Sequence, residues 1–382
     1  MLRFSAVPKF VARLARSWMM RNTGLDIMRF VAVALVLGRH LHLPDQPNVV
    51  LATWYRGGWV GVDLFFVLSG YLIATLLFKA YERTGTIDVR KFLIQRGLKI
   101  FPAFWCFLLV MLCVQVWYIH RPLSLWPILG ELLMMQNHVG RVWNHTWSLA
   151  VEIHFYLFLS LLFALACYLQ PKQRFGFVPY VCGALAVLCL AARYYTVYAS
   201  DLDVLSIPLM GTHCRIDSLF FGVLVAYLIT WKQLDVRLKS LHTEWLVIAG
   251  SMLLLPAFIS PQDSYRWVIV FGVIPFYLGS GLLLLASLRL ETTDSKLLSG
   301  IATLGAASYS IYLWHMPINL WAMYVVPDLH QVHYWQVYAS LYLVGSLVIG
   351  WCLNRWIEMP VLALRNKVAP RTVTVVPTPG VA

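Results

Sequence analysis

The chain is 382 residues long, 60% hydrophobic and only 12% charged, with a formal net charge of +13. A soluble globular domain carries about 25% charged residues, so this composition excludes one and points to a polytopic membrane protein. The Lys and Arg residues are spread between apolar stretches, which fits membrane topology and excludes a nucleic-acid footprint gathered on one face.

Seven cysteines lie in or beside apolar stretches without CxxC spacing, so neither a metal site nor a disulfide framework is expected. Residues 1–24 hold Arg3, Lys9, Arg13, Arg16 and Arg21 with no small-residue cleavage site. They read as a retained basic cytoplasmic tail. Ten apolar segments of spanning length follow, at 25–43, 58–78, 100–119, 148–169, 178–197, 213–231, 244–260, 265–288, 300–325 and 334–354. The tail and the segments 79–99, 170–177, 232–243, 289–299 and 355–382 hold most of the Lys and Arg, whereas the alternate connections hold only Arg56, Arg121, Arg141 and Arg266. That asymmetry predicts an all-α protein of about ten transmembrane helices with both termini cytoplasmic. The expected layout is a membrane domain over 25–357, followed by a cytoplasmic tail over 358–382.

The first apolar stretch, LDIMRFVAVALVLGRHLHLP from Leu25 to Pro44, contains Asp26, Arg29, Arg39, His40 and His42. Ionisable groups in hydrocarbon are costly and mark functional sites by default. Arg29 and His40 are about three full helical turns apart, so they share a face and stand roughly 16 Å from one another along it. Arg39 and His42 read as groups that reach the headgroups from a helix end.

After this stretch, GVDLFFVLSGYLI over 61–73 places Asp63 at a helix start. There it is either a cap and dipole partner or a carboxylate facing His40. The glycines before it permit close helix approach. On the cytoplasmic side Arg96 and Lys99 share a helix face and offer a fork and a point charge for phosphates. Topology alone also calls for basic residues there.

In TWSLAVEIHFYL, over 146–157, Glu152 lies one turn into an apolar segment, where a carboxylate needs a cation or a proton. Trp147 is either an interfacial belt residue or a stacking surface for a sugar ring. The pair Asp201 and Asp203 falls in an outer loop, away from any cytoplasmic nucleotide sugar. Two further clusters are His213-Cys214-Arg215-Ile216-Asp217 and SYSIYLWHMPI over 308–318, which contains His315. Arg215 and Asp217 are candidates for an internal ion-pair network as well as for a site.

In order along almost the whole chain, LDIMRF with Arg29 and His40, GVDLFFVLSGYLI, Arg96-x-x-Lys99-Ile-x-Pro102, TWSLAVEIHFYL, CRIDSLFFG over 214–222, SYSIYLWHMPI and NRWIEMP over 354–360 resemble the acyltransferase 3 family of integral membrane acyltransferases. The resemblance implies transfer of an acyl group, usually acetyl, from acyl-coenzyme A to a hydroxyl of a carbohydrate or glycosylated acceptor. It also implies a bacterial inner-membrane home and ten or so membrane helices. Arg29 and His40 match the paired charged and catalytic positions, Arg96 the donor-side basic pair, and Glu152 the carboxylate after the Trp-Ser-Leu block. Lys99 departs from the second Arg usual there, keeping the charge without the fork.

The expected site therefore has His40 as general base with Glu152 or Asp63 beside it. Arg29, Arg96 and Lys99 hold acyl-coenzyme A, a co-substrate rather than a tightly bound cofactor. Trp147, Arg215 and His315 face the acceptor, and no metal takes part. A covalent acyl-His route fits the same residues. The rival reading is a transporter or flippase with an intramembrane charge relay, against which the charged positions do not recur in two symmetric halves.

Overall fold

The structure is a computed structural model that describes residues 22–117, 124–170, 174–199, 209–260, 266–290, 295–326, 328–329 and 331–368. Most of both expected tails, Arg121 and the Asp201 and Asp203 pair lie outside the described residues.

Every regular element among the described residues is helical. The first, α1 (Thr23–Arg39), starts where the Asn22 side chain accepts from the Leu25 N–H at 3.1 Å, meeting one of the donors a helix start leaves unpaired. It stops one residue before His40, short of Pro44. Next come α2 (Val49–Gly57), a tight turn over Gly58–Val60, α3 (Gly61–Thr84), α4 (Val89–Trp117) and α5 (Leu125–Leu132). A second tight turn, Asn144–Thr146, leads into α6 (Trp147–Leu169).

The middle of the chain forms α7 (Val178–Tyr194), α8 (Thr212–Lys232), α9 (Leu234–Arg237), α10 (Thr243–Ile259), α11 (Arg266–Val270) and α12 (Val273–Leu288). It ends with α13 (Lys296–Ala306), α14 (Ser308–Val325), α15 (Val332–Leu353) and α16 (Met359–Val368). The expected final tail thus begins as helix.

Six helical stretches are long and apolar enough to cross a membrane, and α13 with α14, bent by 72° at their junction, adds a seventh if taken as one span. These spans make the chain an integral membrane protein. The helices α10 and α12 are apolar but shorter.

Packing is closest where small residues let backbones meet. The helices α3 and α8 cross at Gly70 and Gly222, where a Cβ would lie 1.9 Å from Leu219 O and 2.1 Å from Val67 O respectively. Around that crossing Phe66, Phe155, Leu219, Phe220 and Val223 form one apolar core. Gly305 of α13 likewise abuts the Asp26 carbonyl of α1. Without a hydrophobic drive between helices in lipid, such contacts supply much of the association. Gly222→Ala should therefore cost about 1–3 kcal/mol, the usual range for overpacking, read as a lower unfolding midpoint in mixed micelles. A midpoint equal to wild type would contradict this crossing.

Candidate active site

His40 is held at the end of α1 by its main chain. Its N–H donates to the Val36 and Leu37 carbonyls at 3.2 Å each, and Tyr342 OH donates to Leu37 O at 3.0 Å. From α14, Asn319 Nδ2 donates to His40 O. The Tyr338 hydroxyl of α15 donates to Asn319 Oδ1 at 2.6 Å and accepts from the His42 N–H at 3.0 Å. Trp335 Nε1 donates to His42 O at 2.8 Å. The turn from His40 to His42 is thus latched by α14 and α15, and the His40 imidazole is left out of the latch. Its ring lies 5.0 Å from that of His315, centroid to centroid.

His315 in turn lies 5.0 Å from His145, which sits in the tight turn before α6. Tyr312, one turn before His315 on α14, joins this group to α6. Its hydroxyl donates to His145 O at 2.7 Å and accepts from Ser148 Oγ at 2.7 Å. The His145 turn is anchored from α5. Glu131 Oε1 accepts from the N–H groups of Val142 and Trp143 at 3.0 and 3.3 Å and lies 2.9 Å from Thr146 Oγ1. Burial pushes the Glu131 carboxyl up from its ordinary range against the pull of those donors.

Beneath Tyr312 a cavity of about 120 Å³ runs along α6. Ser148, Glu152 and Tyr156 line it at four-residue spacing, the spacing of one helix face. Arg29 of α1, Ser69 of α3, and Arg96 and Lys99 of α4 complete its polar wall. Arg29 pairs with Asp26 and keeps a quarter of its side chain exposed. Lys99 lies within electrostatic reach of Arg29, Arg96, Glu152 and Glu358. Glu152 Oε2 accepts from Tyr156 OH at 2.6 Å, and the Tyr156 hydroxyl is 3.1 Å from Ser69 Oγ.

The expected grouping of Arg29, Arg96 and Lys99 is therefore present, with Glu152 among them. The expected carboxylate support for His40 needs correction. Glu152 faces the basic cavity, and Asp63, turned toward α8 by the close crossing of α3 and α8, pairs with Arg215 at 2.8 Å and accepts from Ser218 Oγ at 3.1 Å. Among the described hydrogen bonds neither carboxylate is joined to His40.

Arg215 is buried, its guanidinium 5.8 Å from the Trp147 ring centroid and 5.9 Å from that of Phe66. Beside it Arg193 pairs with Asp217 at 2.9 Å and donates to Cys214 O at 2.6 Å. Arg215 and Trp147 thus belong to an internal ion-pair lattice and its aromatic wall, and Trp147, 9% exposed, shows no open face for a sugar. Of the three residues expected at the acceptor, His315 alone lies beside His40.

Sequence reasoning missed His145, Tyr312, Asn319 and Glu131. The Ser148, Glu152, Tyr156 spacing and the His315-Met316-Pro317 run were the available signals.

Two bacterial relatives give this arrangement its context. The chain is 27% identical to the peptidoglycan O-acetyltransferase OatA of Listeria monocytogenes over 366 residues, covering 88% of this chain and 55% of that protein. It is 26% identical to the O-acetyltransferase OatA of Staphylococcus aureus over 323 residues, covering 77% of this chain and 50% of that protein. The chain thus spans about half the length of the curated relatives it matches. No solved structure matches it significantly. The acyltransferase 3 model, described as an acyltransferase domain, matches residues 22–355, and the chain belongs to that family.

Proposed function

We propose that the protein is an O-acyltransferase that moves an acyl group, acetyl foremost, from acyl-coenzyme A to a hydroxyl of a cell-envelope carbohydrate, with His40 as general base. One observation carries this reading. The cavity that gathers Arg29, Arg96 and Lys99 continues to Ser148 and Tyr312, and the Tyr312 ring packs 5.6 Å from His315, which neighbours His40. Phosphates of the donor rest against the three cations, since guanidinium and ammonium groups bind them by charge-assisted hydrogen bonds. The thioester arm then lies along α1 and α6 toward the imidazoles. The roughly 16 Å from Arg29 to His40 along the first span suits an extended pantetheine arm.

His40 removes the proton of the acceptor hydroxyl while its oxygen attacks the thioester carbonyl. The names of the bacterial O-acetyltransferase relatives support acetyl as the group and a wall glycan as the acceptor. Ten crossings with both termini cytoplasmic complete the picture. They comprise the six long spans, the bent pair α13 and α14, the shorter α10 and α12, and α1. This topology sets Arg96 and Lys99 on the donor side and His40 toward the acceptor side.

The test is label transfer from radiolabelled acetyl-coenzyme A to glycan strands released from bacterial cell wall, using the detergent-purified protein. Wild type should move label into glycan. Arg96→Ala should raise KM for acetyl-coenzyme A about 10–100-fold, the worth of one charged hydrogen bond, with little change in kcat. An unchanged KM would remove Arg96 from the donor site.

A further inference from the structure

Among the described hydrogen bonds no carboxylate orients the candidate base, yet the structure supplies another group. Pro317 has no N–H, so the Leu313 carbonyl four residues earlier lacks its helical donor. His145 Nε2 fills that vacancy at 3.0 Å. A carbonyl only accepts, so Nε2 carries the proton of His145 and Nδ1 keeps a lone pair. By the same logic His315, whose Nδ1 lies 2.6 Å from Tyr312 O, is protonated at Nδ1 and keeps its lone pair at Nε2. Both remaining nitrogens, His145 Nδ1 and His315 Nε2, are buried with no hydrogen-bond partner among the described residues. An unmet buried acceptor is costly, and the other imidazole whose ring stands 5.0 Å from His315 is His40.

We infer that His315 is the positioning residue of the base: its free Nε2 accepts a hydrogen bond from the ring N–H of His40 once the neighbouring His40 ring turns toward it, which fixes which His40 nitrogen faces the acceptor hydroxyl. This rests on the reading of His40 as general base. It assigns to a neutral imidazole the orienting part that a carboxylate plays in nucleophile-base-acid triads.

The step balances without further reactants. The hydroxyl proton passes to the free His40 nitrogen as the new C–O bond forms. The C–S bond breaks with its electron pair on sulfur, the thiolate is protonated from water, and His40 returns its proton to water. His145, tilted 76° to His315 at 5.0 Å, offers the second lone pair in the same cluster.

The experiment is 15N spectroscopy of the full chain labelled at histidine, paired with acetyl transfer from acetyl-coenzyme A to cell-wall glycan strands. In wild type the His315 signals, assigned by their loss in His315→Gln, should show the Nδ1–H tautomer. Its Nε2 resonance should move in His40→Ala. In the transfer assay His315→Leu, which keeps volume without an acceptor, should lower kcat about 10–100-fold with the acetyl-coenzyme A KM unchanged. His315→Gln, which keeps an acceptor oxygen, should recover most of that loss.

An Nε2–H tautomer, an Nε2 resonance indifferent to His40, or equal losses in the Leu and Gln variants would overturn the inference. If one of the two variants fails to fold, the other serves to assign the His315 signals and the spectra decide the matter. Loss of transfer in His40→Ala with a motionless His315 signal would spare the base and remove only its partner. A moving signal with undiminished transfer in His40→Ala would remove the base reading itself.

Discussion

His40→Ala is expected to lose acyl transfer by about 10²–10⁴-fold, the range over which a positioned general base contributes, while the protein folds as before. The structural basis for intact folding is specific. The described hydrogen bonds that anchor residue 40 use its main chain: the N–H that closes α1 and the carbonyl that accepts from Asn319. Alanine keeps both groups and removes only the imidazole beside His315. Monodispersity, thermal midpoint and acetyl-coenzyme A affinity should therefore match wild type, because the proposed donor site is the cavity of Arg29, Arg96 and Lys99, whose wall does not include His40. A variant inactive because it is misfolded would fail all of these at once.

The second large effect belongs to the Asp63 and Arg215 pair. Both side chains are buried, and the pair sits against Phe66 and Trp147. Removing one partner leaves an uncompensated charge in a low-dielectric interior, which costs about 3–5 kcal/mol. Arg215→Met should accordingly lower the unfolding midpoint in mixed micelles far more than Gly222→Ala does. The double variant Asp63→Leu with Arg215→Met should recover most of the loss, since replacing a whole buried pair by apolar groups is often neutral. A direct acceptor-binding role for Arg215 predicts a different result: stability near wild type, a raised acceptor KM, and no recovery in the double variant. The 2.8 Å contact and the Ser218 bond to the same carboxylate oxygen favour the stability outcome.

These two residues also show how far the sequence could be read. Arg29 and His40 are legible in the sequence because their spacing is a property of one helix, and Arg96 with Lys99 for the same reason. Such local periodicity survives into the structure, apart from α1 ending one residue short of His40. The partner of Asp63 is a matter of long-range packing. Gly70 and Gly222 are more than 150 positions apart, and their mutual approach brings Arg215 rather than His40 opposite Asp63. Nothing in either segment alone encodes that meeting.

Glu152 illustrates an intermediate case. Its need for a cation is legible in the sequence, and the structure sets it in one cavity with Arg29, Arg96 and Lys99. His145 was invisible because its position depends on a carbonyl freed by Pro317 in a helix more than 160 residues later. Span number was affected by length and by charge: α1 has 17 residues and holds Asp26, Arg29 and Arg39. The helices α10 and α12 are largely apolar, yet at 17 and 16 residues they fall below an ordinary crossing length.

The most direct measurement of the central proposal, that a donor bound at Arg29, Arg96 and Lys99 on one side of the membrane is served by the His40 base toward the other, is transfer across a sealed bilayer. The full chain is reconstituted into vesicles, the orientation of each population is fixed by affinity selection, and radiolabelled acetyl-coenzyme A is enclosed with the face carrying Arg96 and Lys99. Cell-wall glycan strands are supplied only on the other side. The account predicts label on the external glycan with wild type and none with His40→Ala. Label appearing only when donor and glycan share a compartment, or at the same rate without His40, would contradict it.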